Sequence, residues 1–151
     1  RYQISIIGDG PLRNEVIKAS QDSKNISYLG NLPYQEMIEE MKKCAFLVFP
    51  SLCYETFGKV LIEAFSCGVP VLASDKTTAQ EIVEHEKSGL IFKKNNQNDL
   101  VDKMKYLFDN PMRVWGMGEA ARLVCEQNYS KEAVYNKLKS LYEGVLRESR
   151  S

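Results

Sequence analysis

The chain has 151 residues, 44% of them hydrophobic, and its 20 basic side chains balance 20 acidic ones. This length suits a single domain with its own core, and the zero net charge argues against nucleic acid as a partner. The four cysteines include no Cys-x-x-Cys pair and no histidine at zinc-ligand spacing, which predicts free thiols in a reducing, cytoplasmic compartment. No apolar run reaches the roughly 18 residues that a membrane-spanning helix needs.

The N-terminal part of the chain predicts two strand and helix units. Residues 4–7 are rich in isoleucine and indicate a strand that starts without a leader, so we expect the chain to be a piece of a longer protein. A turn at Gly8-Asp9-Gly10-Pro11 precedes a helical pattern. Residues 26–29 predict a second strand, and Pro33 opens a second helix, where proline costs no hydrogen bond.

The middle of the chain alternates apolar strands with short helices. Residues 45–49 form an uninterrupted apolar run, which suits a parallel strand covered on both faces. Residues 57–67 predict a helix that Gly68 ends as a left-handed cap, and residues 69–73 predict the next strand. The capping-box spacing of Thr78-Ala79-Gln80-Glu81 predicts another helix start.

The C-terminal part predicts one more strand and then helices alone. The strand covers residues 90–92, and the helices cover about 98–109, 112–127 and 131–148, the last with Ser130 as its N-cap. Strands that alternate with helices predict an α/β fold, a Rossmann-like, doubly wound parallel sheet. The all-helical tail predicts a cap or a bridge to another domain.

Ligands of open parallel sheets bind outside the carboxyl ends of the strands, which directs attention to the loops that follow them. Glycines and helix N-termini in these loops suit an anionic ligand such as phosphate. The first loop, Gly8-Asp9-Gly10, resembles the opening of a dinucleotide fingerprint, but Arg13 stands where the third glycine belongs. Hydride transfer is therefore disfavoured, and a simple tight turn remains the alternative for this loop.

The loop after residues 45–49 is more informative. It leads into a helix, residues 59–65, that is apolar on nearly every side except at Lys59 and Glu63. A carboxylate in such a helix needs a partner. For Glu63 that partner is either the hydroxyl groups of a ligand or a basic side chain in a buried salt bridge. Glu55 lies in the preceding loop, where it is either a second ligand-binding carboxylate or a solvated acid. A ligand whose phosphates bind to backbone amides and whose hydroxyls bind to carboxylates has the chemistry of a nucleoside diphosphate sugar.

At this point the sequence resembles the retaining GT-B glycosyltransferases of the glycogen-synthase and mannosyltransferase type, whose signature is two glutamates separated by seven residues. Glu55 and Glu63 match that signature. The resemblance covers most of the chain except the helical tail. It rests on an ordered set of short motifs: Gly8-Asp9-Gly10-Pro11, Leu29-Gly30, Pro50-Ser51, Phe57-Gly58, Glu63-Ala64, Gly68 with Pro70-Val71, Glu81-Ile82-Val83 and Gly89-Leu90-Ile91.

The resemblance implies a role for each matching residue in binding the donor. Glu55 is implied to be the catalytic-site carboxylate on the sugar hydroxyls, and Glu63 to hold the ribose. Amide groups are implied to bind the sugar and the diphosphate, and the loop after the second strand to lie beside the base. The residues concerned are Phe57 and Gly58 at the sugar, Lys59 and Val60 at the diphosphate, Gly30, Asn31 and Leu32 at the base, and Gly8 and Gly10 in the first loop.

The resemblance also implies what the remainder of such an enzyme supplies. An N-terminal domain would bind a glycan, lipid-linked or small-molecule acceptor, and a segment upstream of the first strand would place an arginine and a lysine on the diphosphate. We therefore expect residues 1–151 to be a donor-binding domain truncated at its N-terminal edge, inactive alone. The implied whole is a hexosyltransferase of polysaccharide biosynthesis that needs no metal and no cofactor besides its sugar donor. Peripheral membrane association of the whole enzyme fits this scheme.

The sequence departs from the family at one loop and leaves several side chains outside the site. Residues 77–81 lack the pair of glycines that the family often has there, so sugar contacts are not assigned to them. Lys59 is expected to point to solvent, and His85 to lie at an exposed helix end without a catalytic role. Aromatic side chains of the C-terminal helices, Tyr129 among them, are assigned to packing.

Two alternatives to a glycosyltransferase share parts of this pattern. A nucleotide-sugar epimerase or phosphorylase would keep the fold and change the reaction, and a receiver-like signalling domain is discounted because Phe49 and Pro50 stand where it needs an aspartate.

In two-domain transferases the terminal helix often crosses to the other domain. We therefore expect its stripe to pack on the present domain around Val134 and Leu138, and to be loosely held beyond Tyr142.

Overall fold

A computed structural model describes residues 2–52 and 57–148, without the side chain of Glu148. The chain divides into two compact units, Arg1–Lys43 and Cys44–Ser151, and each is described by itself. Glu55 lies outside the described residues, so the structure does not bear on the contacts predicted for it.

The first unit contains two parallel strands, each followed by a helix. The elements are β1 (Ile4–Ile7), α1 (Arg13–Asp22), β2 (Ile26–Gly30) and α2 (Tyr34–Lys42). The strands pair in parallel with Ile4 opposite Ile26, and α1 packs on β2. Helix α1 begins two residues later than Pro11, and Pro33 is the N-cap of α2 rather than its first residue. The two predicted strand and helix units of this region are confirmed.

The second unit contains a three-stranded parallel sheet and five helices among the described residues. The strand order is β3, β4, β5, so β4 is central, and all four of its residues are buried. The elements are β3 (Leu47–Phe49), α3 (Lys59–Ser66), β4 (Val71–Ser74), α4 (Ala79–Ile82), β5 (Gly89–Phe92), α5 (Gln97–Asp109), α6 (Pro111–Tyr129) and α7 (Lys131–Glu148). Strictly parallel pairing between alternating helices confirms the predicted α/β class and the long C-terminal helix.

The core of the second unit lies on both faces of β4. Helix α3 buries Leu61, Ala64 and Phe65 completely. A second cluster is formed by apolar side chains of the strands and of helices α5 and α6, namely Leu72, Leu90, Phe92, Leu107, Val114 and Met117. Such clusters are the main source of folding free energy, at about 1.5–3 kcal/mol for each large side chain buried. Helix α3 is therefore held in place by the side chains that surround it.

Close backbone contact fixes the C-terminal end of α3 against α6. Gly68 has a φ of 71°, which confirms it as the left-handed residue that ends the helix. A Cβ on Gly118 of α6 would lie 2.3 Å from the carbonyl oxygen of Gly68, a distance no side chain could occupy. Only glycine at position 118 therefore lets α6 approach so near.

Three details of the sequence-based prediction are wrong. The edge strand β3 begins at Leu47, and Leu47 and Val48 are half-buried rather than covered on both faces. Thr78 is helical and makes no side-chain cap for α4, because the neighbouring Thr77 hydroxyl accepts the Ala79 amide at 3.3 Å instead.

The third correction concerns α7. Ser130 does cap this helix, since its hydroxyl accepts the Ala133 amide at 3.2 Å. However, Val134 is 41% exposed and Leu138 is 51% exposed. The expected packing around these two residues is therefore absent in this unit, and the apolar stripe is exposed from its beginning, not only beyond Tyr142.

Candidate donor-binding site

The connection from β3 to α3 places a helix N-terminus at the carboxyl end of a parallel strand. Phe49 ends β3 and is buried, and Gly58 precedes α3 in the left-handed conformation, with a φ of 63°. A Cβ on Gly58 would come within 2.9 Å of Cδ1 of Leu61. Both the backbone angle and the space therefore require glycine at position 58.

The first turn of α3 is the anionic-ligand site that this geometry offers. The first amide groups of a helix have no intrahelical acceptor, and the helix dipole adds a partial positive charge there. Lys59 and Val60 supply the first two of these amides. Since α3 is held by buried side chains, these groups are oriented before any ligand arrives. The structure thus confirms that Gly58, Lys59 and Val60 lie together at a helix start.

Glu63 lies one turn further along the same helix. Its side chain is only 14% exposed, and within the described residues its carboxylate has one ionic partner, Nζ of Lys59, at 3.7 Å. Lys59 is 79% exposed, which confirms that its side chain faces solvent. A lysine that remains largely hydrated neutralises a neighbouring carboxylate weakly. The carboxylate oxygens of Glu63 therefore keep hydrogen-bonding capacity for a ligand.

Aromatic contact supports the residue that precedes Gly58. Phe57 is 53% exposed, and its ring meets the ring of Tyr129 edge to face, with centroids 6.1 Å apart. Tyr129 is the last residue of α6, and burial raises the pKa of its hydroxyl. Sequence analysis assigned Tyr129 only to packing. Its distance from Phe57 along the chain left no pattern that could have linked the two.

Polar contacts from β4 and β5 hold the residues that precede the undescribed segment. The Ser74 hydroxyl donates to the carbonyl oxygen of Ser51, and the Lys94 ammonium donates to the carbonyl oxygen of Leu52. The amide of Lys94 donates in turn to the Asp75 carboxylate at 2.7 Å. Sequence analysis missed Ser74, Asp75 and Lys94. These residues could have been found from their position at or just after the carboxyl ends of parallel strands, where such folds bind their ligands.

The predicted glycines of the first two loops lie together within the first unit. Gly8 has a φ of 120° and Gly30 a φ of 65°, and the Gly8 amide donates to the Gly30 carbonyl oxygen at 2.8 Å. The hydroxyl of Tyr28 donates to the Gly8 carbonyl oxygen at 3.1 Å. Gly10 has no such backbone angle, and its amide donates to the Asp9 carboxylate. The structure thus brings Gly8 and Gly30 together and gives Gly10 a turn contact.

The residues that follow Gly30 differ in exposure. Asn31 is exposed, whereas Leu32 is half-buried and lines a groove of about 370 Å³ along α2. In the first turn of α1, Arg13 is paired with Asp9 at 3.3 Å. Arg13 thus occupies the position where a dinucleotide fingerprint has glycine, which agrees with hydride transfer being disfavoured.

The single histidine is a structural residue. His85 is exposed, as expected, and its Nδ1 accepts the amide of Ile91 at 2.9 Å. This bond joins the segment after α4 to β5 and assigns the proton of the neutral ring to Nε2.

Across residues 2–52 and 57–148, the structure has no helix long and apolar enough to cross a bilayer. Cys44, Cys67 and Cys125 form no disulfide within the described residues, which agrees with the predicted thiols, and Cys53 lies outside those residues.

A parallel sheet, glycines with left-handed backbone angles and a helix start at a strand end define the Rossmann-like class of α/β domains. Comparison of sequences gives the family within that class. Residues 1–124 match the family described as glycosyl transferases group 1. The chain belongs to this family, and the epimerase and phosphorylase alternatives are not favoured.

Individual relatives support the same assignment. The chain is 34% identical to an uncharacterized glycosyltransferase of Methanocaldococcus jannaschii over 94% of its length. It is 30% identical, over 93% of its length, to a GDP-mannose-dependent monoacylated phosphatidylinositol monomannoside mannosyltransferase of Corynebacterium glutamicum. These matches cover 40% and 39% of the relatives, so the chain spans about two fifths of their length.

Solved structures show the same fold. The Anabaena protein HepE in complex with UDP superposes with a TM-score of 0.82 over 95% of this chain and 41% of that protein, at 19% identity. Sucrose-phosphate synthase from Thermosynechococcus elongatus gives a TM-score of 0.82 over 97% of this chain and 39% of that protein, at 22% identity. At these identities the likeness establishes the fold, which confirms the GT-B type of α/β domain.

Proposed function

We propose that residues 1–151 are the donor-binding part of a retaining glycosyltransferase that transfers a sugar from a nucleoside diphosphate sugar to an acceptor. The observation that carries the proposal is the geometry of α3. Its first-turn amides lie at the carboxyl end of a parallel strand, and a largely buried carboxylate, Glu63, follows one turn later. A diphosphate beside a ribose presents the two matching groups, negative oxygens and neighbouring hydroxyls.

The proposal divides the donor among the residues of the second unit. The amides of Lys59 and Val60 bind the diphosphate, because a helix N-terminus favours negative charge. Glu63 accepts hydrogen bonds from the ribose hydroxyls. Glu55, with the amides of Phe57 and Gly58, binds the sugar and acts at the reacting centre. Catalysis is then electrostatic: charge that develops on the leaving diphosphate meets oriented dipoles, and no metal is required.

The first unit contributes the base-binding loop in this proposal. Gly30, Asn31 and Leu32 lie beside the base, and Gly8 and Gly10 keep the first loop free of side chains that would exclude the donor. One relative is a GDP-mannose-dependent mannosyltransferase, and a solved structure of the same fold is a complex with UDP. The base and the sugar are therefore left to experiment, and the acceptor is a glycan or a lipid-linked sugar bound by another part of the enzyme. The enzyme acts in the cytoplasm, and the whole protein associates with the membrane surface when its acceptor is a lipid.

Calorimetric titration with UDP, GDP and ADP, each beside its monophosphate, tests the proposal. One diphosphate should bind more tightly than its own monophosphate, by about 1–3 kcal/mol for the added charge-assisted hydrogen bonds. Glu55→Gln should spare the bare diphosphate and weaken the matching sugar donor. If no diphosphate binds, or if each monophosphate binds equally well, the proposal fails. Sugar transfer itself is expected only when the acceptor domain is present, because transfer needs a closed, water-excluding cleft.

A further inference from the structure

The three-stranded sheet of the second unit ends at β5, which pairs with β4 on one side alone among the described residues. On that side, the carbonyl oxygens of Ser88 and Phe92 accept backbone amides at 3.4 and 2.8 Å. Alternate residues of a paired strand direct their backbone groups to opposite sides, so Ile91 and Lys93 direct their amides outward. An outward edge with free amides is a template for another strand, and native sheets cover it.

Two side chains cover the outward amides of β5. The Ile91 amide donates to Nδ1 of His85 at 2.9 Å. The Lys93 amide, directly after the strand, donates to the Asp99 carboxylate at 2.6 Å. Both acceptors belong to side chains that can take up a proton, so closure of this edge depends on their ionisation state.

Acid affects the two acceptors at different pH. A neutral imidazole accepts a hydrogen bond at one ring nitrogen, whereas a protonated ring carries hydrogen on both nitrogens and accepts none. Histidine side chains ordinarily titrate at about pH 6.5. The pKa of Asp99 lies below its ordinary value, chiefly because Lys103 donates a hydrogen bond to the carboxylate and also because the Lys93 amide does. Mild acid therefore removes the acceptor of the Ile91 amide and leaves that of the Lys93 amide.

The charged groups around His85 tolerate a positive charge on its ring. His85 lines a groove of about 570 Å³ to which α4, β5 and α5 all contribute. Among the described residues, the other charged groups of the groove are four carboxylates and two ammonium groups, namely Asp75, Glu81, Glu84, Asp99, Lys93 and Lys103. In the segment of His85 itself, Glu86 is adjacent and Lys87 pairs with Glu84 at 2.7 Å. Carboxylates outnumber ammonium groups in the groove, so repulsion does not prevent protonation, and the lost Ile91 bond is its structural consequence.

We propose that His85 is a pH-sensitive latch on the outer edge of β5, which holds the Ile91 amide when the ring is neutral and releases it when the ring is protonated. The hydrogen bond favours the neutral ring, so the stability that it supplies is present at higher pH and is lost as the pH falls. Release remains local, because the Ser88 amide and hydroxyl still bond to the backbone of Glu84. The freed amide makes β5 an open edge to which another strand can add. This inference does not depend on donor binding.

Hydrogen exchange followed by NMR in the ligand-free protein tests the latch at about pH 7.5 and about pH 5.5, on either side of the ordinary histidine range. Each exchange rate is expressed as a protection factor, which removes the pH dependence of exchange in an unstructured chain. His85→Asn is the matched variant, because its Oδ1 occupies the position of Nδ1 and accepts at both pH values. His85→Leu removes the acceptor. The Lys93 amide is the internal control.

The Ile91 protection factor should fall about threefold to tenfold between the two pH values, the usual effect of one lost hydrogen bond. The midpoint of this fall should coincide with the titration of the His85 ring, read from its carbon-bound protons. His85→Asn should keep the higher protection at both pH values, and His85→Leu should show the lower protection at both. The Lys93 protection factor should stay constant in all three proteins.

Three results would overturn the inference. An Ile91 protection factor that is the same at both pH values would show that the ring does not act as a latch. An equal fall in His85→Asn would assign the pH dependence to another group. A parallel fall at Lys93 would show a general loosening in acid rather than the release of one amide.

Discussion

Helices α3 and α7 both carry apolar side chains at helical spacing, but their surroundings are opposite. Leu61, Ala64 and Phe65 of α3 are completely buried, whereas Leu141 and Tyr142 of α7 are 66% and 68% exposed. Helix α3 connects β3 to β4 and packs on β4 and α6, while α7 contacts the second unit mainly through α6, which precedes it. An apolar stripe therefore predicts a helix with a face that packs against other apolar surface. Whether this chain itself covers that face depends on the elements that precede and follow the helix.

Truncation of one leucine in each helix should show the largest difference between them. Leu61→Ala removes a completely buried side chain and should lower the free energy of unfolding by about 2–5 kcal/mol, because a cavity remains. Leu141→Ala removes an exposed side chain and should change it by less than about 0.5 kcal/mol. Urea denaturation of both variants measures this. Similar losses would mean that α7 is packed as firmly as α3.

Two glycines of α6 sharpen the comparison at the point where α6 meets the end of α3. Gly118→Ala should cost about 1–3 kcal/mol, because its new methyl group would collide with the Gly68 carbonyl. Gly116→Ala on the same helix has open space and should stabilise the protein by up to about 1 kcal/mol. Opposite signs in thermal unfolding are the expected result. A harmless Gly118→Ala would contradict the close contact of the two segments.

A glycine of α7 provides a smaller effect on the exposed side of the comparison. A Cβ at position 144 would meet no other atom within 4 Å. Gly144→Ala should therefore stabilise the helical conformation of α7 by up to about 1 kcal/mol, because alanine favours a helix more than glycine does and the new methyl group contacts no core residue. Slower hydrogen exchange should appear in residues 140–148, with the exchange of α3 unchanged. A change in α3 would show that the two helices are coupled in stability.

Thiol chemistry gives the smallest expected effect. Burial raises the pKa of the Cys125 thiol, and its Sγ contacts the Ile62 carbonyl oxygen of α3 at 3.9 Å. A raised pKa keeps the thiol protonated at neutral pH, so the reactive thiolate of Cys125 is scarcer there than that of an ordinary cysteine. Cys125→Ser should therefore leave the fast phase of a thiol-reagent reaction unchanged at pH 7, whereas Cys44→Ser should reduce it.

The sequence predicted the order and type of the elements because each has a local pattern. β1 and α7 agree with their predicted bounds, and Gly68 ends α3 as its residue type requires. The nearly buried Glu63 also followed from local spacing, whereas α3 begins at Lys59, two residues after the predicted start at residue 57. The Lys94 and Tyr129 contacts could not be predicted, because they join residues far apart in the chain. The exposure of Val134 and Leu138 was mispredicted because periodicity describes a face without its partner.

In the proposed function Glu63 binds the donor and does not serve only as the ionic partner of Lys59. Glu63→Gln keeps the shape of the side chain and should weaken the nucleoside diphosphate by about 1–3 kcal/mol. Lys59→Gln breaks the same 3.7 Å pair from its exposed side and should change affinity by less than about 1 kcal/mol. Calorimetry with the diphosphate that binds the parent protein makes the comparison. A large loss in Glu63→Gln with little change in Lys59→Gln is predicted, whereas equal effects or an unchanged Glu63→Gln would contradict the account.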